Sequence, residues 1–161
     1  MTAVLHSVIV QQALHLAKPS ILKIMEEDAF VWGPKYVAIA AVSNHDELLT
    51  LDILNQTPGT WSPDWGFPDE FMEIAVWKAK TALRFQIPTS QLANDYPLAL
   101  SYGDYFRYAG GVPGPLGTFA VGVSGLTGRA DEMNARIVIA TMLGIAHTEV
   151  DAAIAEKRKK L

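Results

Sequence analysis

The segment Gly110-Gly111-Val112-Pro113-Gly114-Pro115-Leu116-Gly117-Thr118-Phe119-Ala120-Val121-Gly122-Val123-Ser124-Gly125 constrains this chain more than any other. It carries six glycines, yet Phe119, Val121 and Val123 recur at period two, which is the signature of a strand rather than a linker. The spacing predicts an extended arm at Gly110 to Pro113, a tight turn over Pro113 to Gly117, and a second strand ending at Ser124-Gly125. Glycine inside a strand means that a helix, a subunit or a ligand approaches the backbone closely. A helix is expected to start near Arg129.

The remaining sequence is long enough and apolar enough to support such an element. Its 161 residues fit a single domain spanning 1–161, and half of them are hydrophobic against 19% charged. The net charge of −4 lacks the basic stripe of a nucleic-acid binder, so no nucleic-acid partner is expected. With no cysteine, disulfides and thiolate chemistry are excluded, in keeping with a reducing compartment. No apolar run reaches the ~18 residues of a membrane span, and no signal-peptide pattern opens the chain. A cytoplasmic protein without a membrane partner is expected.

Along the chain, apolar spacing predicts a helix from Thr2 to about Ala17, broken or restarted by Pro19 and continued to about Asp28. Tyr36 to Val42 is apolar almost throughout, as in a central strand covered on both faces. Ser43-Asn44-His45-Asp46 turns the chain into a partner strand, Leu48 to Leu54, which makes an antiparallel hairpin. Residues 55–68 then hold Trp61, Trp65 and Phe67 among three prolines and two glycines. Such a loop either folds over the core or an interface, or forms an aromatic lid.

Asp69 is expected to cap a helix running from Glu70 to about Phe85, with Ile74, Trp77 and Lys78 on one side and Thr81 a turn beyond. A short helix from Ser90 to about Asp95 follows, then a mixed stretch carrying Tyr102, Tyr105, Phe106, Arg107 and Tyr108. After the glycine-rich pair, Asp131 and Glu132 open a helix to about His147, and Thr148 caps a last one.

Catalytic signatures fail on inspection. Gly122-Val123-Ser124-Gly125-Leu126 lacks the second glycine of a nucleophile elbow, and neither a dinucleotide fingerprint nor a phosphate-binding loop is present. The histidines and carboxylates form no metal-ligand spacing, so no metal site is expected. The junction Ser124 to Gly128 offers a helix N-terminus that either holds an anion or is capped by Ser124, Thr127 or Asp131.

Gly110-Gly111-Val112-Pro113, Gly122-Val123-Ser124-Gly125 and the Asp131-Glu132 opening of a long helix resemble the GlcG/HbpS family, also called the haem-degrading domain family. Lys78-Ala79-Lys80-Thr81-Ala82, with Phe85 and Pro88-Thr89, is similar to a helix motif of that family. The resemblance spans roughly residues 10 to 147. It implies an α+β, profilin-like fold with a five-stranded antiparallel sheet flanked by helices, and assembly into homo-oligomers. It also implies binding of haem or a related tetrapyrrole. The sequence departs from the family in the Ser43 to Glu47 turn and in an aromatic, proline-rich insertion at about 55–68.

Two functional readings follow. One is a small-molecule-binding module for haem or another flat hydrophobic ligand, with ligand contacts from His15, Trp61, Trp65, Thr81, Gly110, Gly111, Pro113, Ser124 and Gly125. Its axial candidates are His15 and His45, imidazole being a common iron ligand. The other is a metal-independent acid–base enzyme acting on a small organic, anionic substrate. His45, Asp52, Lys78, Tyr105 and Arg107 would move protons or hold the anion there. For each of these side chains a surface charge or ordinary structural bond is the commoner role.

Overall fold

The computed structural model describes residues 3–28, 36–45, 48–55, 68–96 and 109–160. Its elements run α1 (Ala3–Glu27), β1 (Tyr36–Ser43), β2 (Leu48–Asn55), α2 (Pro68–Phe85), α3 (Thr89–Asp95), β3 (Gly111–Pro113), β4 (Phe119–Ser124) and α4 (Gly128–Arg158), with a short 3-10 turn at Pro115–Gly117. The strands form one antiparallel sheet in the order β2-β1-β4-β3. The α+β class holds. The described residues supply four strands where five are expected.

Strand periodicity explains the layers. Val37, Ile39 and Ala41 of β1 join Phe119, Val121 and Val123 of β4 in a core with α1 and α4. The alternate residues Ala38, Ala40, Val42 and Ala120 face Ala75, Ala79 and Ala82 of α2 instead. Register makes the two sets coincide across the strands, since Ile39 pairs with Val123 and Ala40 with Gly122. One sheet face therefore presents large side chains and the other small ones. Because β1 is covered on both sides, its continuous apolar run is accounted for.

The small face decides where α2 sits. A Cβ built on Gly122 would lie 1.9 Å from the carbonyl oxygen of Ala75 and 2.6 Å from the nitrogen of Ala79. One on Gly111 would lie 2.3 Å from the carbonyl oxygen of Lys78. The close neighbour demanded by these glycines is thus the backbone of α2.

Three helix expectations need correction. Pro19 does not break α1, which runs continuously from Ala3 to Glu27. Ile9, Val10, Ala13, Leu14, Ala17, Ile21 and Met25 bury one unbroken stripe, while Pro19 and His15, four residues before it, are exposed. The carbonyl that loses its partner to proline is therefore on the wet side. Next, α2 begins at Pro68, so Asp69 lies within the first turn rather than at the cap. Proline suits that first position because its missing N–H would be unpaired anyway. Finally, α4 is one helix of 31 residues. Thr148 does not cap a new helix, because its hydroxyl donates back to the Gly144 carbonyl at 2.9 Å.

Candidate functional site

Where α2 passes the glycine-rich strands, Lys78 is 2% exposed. Its Nζ donates to the Val123 carbonyl at 2.9 Å and to Asp131 Oδ2 at 3.2 Å. Asp131, also 2% exposed, accepts from the Leu126 backbone N–H at Oδ1, 3.0 Å away. Gly110, at φ +131°, makes room for this pair, for a Cβ there would sit 3.0 Å from Lys78 Nζ and 3.0 Å from the Asp131 Cβ. Beside it, the Gly111 N–H donates to Thr89 Oγ1 at 3.0 Å, and Thr89 is fully buried. Ser90 on α3 donates to Glu132, tying α3 to α4 at the same place.

Burial dominates the electrostatics of the pair. Desolvation pushes the Asp131 carboxyl up to about 7, with the Lys78 charge opposing the shift. Desolvation likewise holds the Lys78 amine below its ordinary value, with Asp131 opposing. Burial thus disfavours the charge on each partner, while the hydrogen bonds hold both in place.

The N-terminus of α4 is filled from within the chain. Thr127 caps it, with its side chain accepting from the Ala130 N–H at 3.4 Å. Asp28, just past α1, accepts from the Thr127 N–H at 3.1 Å and from the Thr127 hydroxyl at 2.8 Å. The positive end of α4 is thus met by the carboxylate of Asp28. A shallow groove of about 330 Å³, lined by Ile24, Glu27, Asp28, Thr127, Arg129, Ala130 and Met133, opens beside it.

The sequence candidates divide sharply. Lys78, Gly110, Gly111 and Ser124 come together around the buried pair; Ser124 is itself buried and follows the carbonyl that Lys78 uses. Thr81, one turn along α2, is buried too. Pro113 and Gly125 flank the cluster at the ends of β3 and β4. His15 lies on the exposed face of α1. His45 is exposed in the β1–β2 turn, its backbone N–H donating to Ser43 Oγ at 3.3 Å. Asp52 stands in β2 opposite Ile39. Trp61, Trp65, Tyr105 and Arg107 lie outside the described residues. Among the described residues no group of His, Asp and Glu could hold a metal ion.

Sequence reasoning missed the partner that matters most. Asp131 reads as a first-turn helix acid, and nothing local shows that its carboxylate turns inward to Lys78, 53 residues away. Asp28 and Thr89 are comparable cases. Asn134 left a faint signal, as an amide three residues after Asp131 and four before the core residue Val138.

The fold and this centre define an α+β domain in which one helix lies directly on a glycine-rich strand pair. Solved structures share the fold. ORFY of Klebsiella pneumoniae, of the DUF336 family, matches with a TM-score of 0.63 over 84% of this chain and 88% of its own, at 18% identity. HbpS matches at 0.56 over 87% and 88%, with 24% identity. A structure described as a PduOC:haem complex matches at 0.55 over 81% and 91%, with 18% identity. No family model and no curated protein matches the sequence. The chain therefore has the HbpS-type fold, and the family resemblance holds at the level of fold.

Proposed function

We infer that this chain is a small-molecule-binding protein whose ligand is haem or another flat hydrophobic molecule. The observation that carries the reading is the fold shared with HbpS and with the structure described as a PduOC:haem complex. The exposure of His15 and His45 supports it, because an accessible imidazole can serve as an axial ligand. Titrating the purified protein with haem should give a saturable Soret shift, and replacing the axial histidine with alanine should remove it. A spectrum that stays that of free haem at every ratio overturns the reading. Self-association belongs to the same proposal. Light scattering should return a mass that is a multiple of 17.6 kDa, and a constant 17.6 kDa across concentrations would refute it.

The Lys78–Asp131 pair favours a second reading, metal-independent acid–base catalysis on a small organic substrate. Burial brings the two groups toward a common proton affinity, as general acid–base chemistry requires. Against it, both groups are committed to internal hydrogen bonds. The readings separate on Lys78→Met in folded protein. A binding module keeps its haem titration, whereas an enzyme of this kind loses turnover.

A further inference from the structure

Asn134 lies three residues along α4 from Asp131, a spacing that puts both side chains on one helix face. It is fully buried, and among the described residues neither its Nδ2 nor its Oδ1 has a hydrogen-bond partner. Among the described residues these are the only buried side-chain nitrogen or oxygen atoms left in that state. A buried polar group without a partner is destabilising, because the hydrogen bonds it made to water in the unfolded chain are lost and not replaced. Two such atoms on one side chain weigh heavily against the narrow margin that holds a domain together. Nor does the surrounding helix require a polar residue there, since Ala130, Ala135, Val138 and Ile139 are apolar and buried.

We propose that Asn134 forms the wall of an internal binding site, next to Asp131, for a small neutral guest that both donates and accepts hydrogen bonds, and that this guest is a water molecule. The carboxamide selects that chemistry. Its NH₂ needs an acceptor and its carbonyl needs a donor, so a simple cation or anion answers only one of the two. The complete burial of Asn134 limits the guest to a very small molecule. Asp131 supplies a further polar partner, because its two carboxyl oxygens accept from Lys78 and Leu126 and retain lone pairs. A buried water typically makes about three hydrogen bonds, which Asn134 and Asp131 together can provide. The bound water links the Lys78–Asp131 pair to the middle of α4.

Nuclear magnetic resonance on the folded, ¹⁵N-labelled protein tests this directly. The Asn134 carboxamide is assigned through the backbone and checked by its loss in Asn134→Leu. Its NH₂ protons should show a cross-relaxation peak to water with the sign of a long-lived contact. No water peak, or contacts that place the carboxamide on a protein group or a non-water guest, overturns the proposal. The thermal midpoint of Asn134→Leu gives a second reading. A hydrated amide predicts a midpoint equal to or below that of the wild type. A rise of several degrees would mean that the atoms are dry and refute the site.

Discussion

Single contacts around Lys78 carry measurable weight. Removing one partner of a buried ion pair leaves the other charge uncompensated, at about 3–5 kcal/mol. Lys78→Met and Asp131→Leu should each lower the denaturation midpoint accordingly. The double variant should lose much less than the sum, since an apolar replacement of the whole pair is often neutral, and a double-mutant cycle in urea checks this. pH gives a second handle on the same carboxyl. Asp131 is pushed up to about 7, while an unfolded aspartate ionises near 3.8. Between those values the unfolded chain releases a proton that the folded state retains, so this group's contribution falls as pH rises and levels off above about 7. Urea midpoints at pH 5 and 7.5 should show the difference between wild type and Asp131→Asn narrowing at the higher pH. Gly122 offers a steric counterpart. With a Cβ 1.9 Å from the Ala75 oxygen, Gly122→Ala must push α2 off the sheet. A loss of about 1–3 kcal/mol is expected from such overpacking, read from the same midpoints.

Capping and helix continuity act at the level of elements. Asp28 joins the end of α1 to the start of α4 through two hydrogen bonds to Thr127. Asp28→Ala should cost about 1–2 kcal/mol, by loss of a cap-like anion at a helix N-terminus. Equal stability of this variant in thermal unfolding would show that the contact contributes nothing. The expected break at Pro19 illustrates why a local rule can fail. Proline removes one helical hydrogen bond, but the stripe from Ile9 to Met25 continues through it and packs on the sheet. Tertiary burial outweighs the local cost. Past His147 the balance is reversed: α4 is exposed there and stays helical to Arg158 on the local propensity of its alanines and charged residues.

Across the molecule, the unequal sheet faces set the arrangement. Large residues take α1 and α4, and the alanine–glycine face takes α2. Native-state hydrogen exchange should follow that plan. Amides of β1, paired on both sides and covered on both faces, should exchange slowest. Those of α4 beyond His147 should exchange far faster. Equal protection of the two regions would contradict the layering.

The α+β class came with the family resemblance; by itself the sequence determined the β1–β2 hairpin, the glycine-rich strand pair and the helix after it. Those features follow from periodicities of two and 3.6 and from turn residues, which are local. It also determined that something must press on the glycines. Only the tertiary structure decided that this neighbour is the α2 backbone, and that Lys78 crosses to a carbonyl and a carboxylate distant in sequence. Side-chain direction and burial arise when separate elements pack. The same packing left Asn134 without a hydrogen-bond partner among the described residues, a property that no run of residues can display.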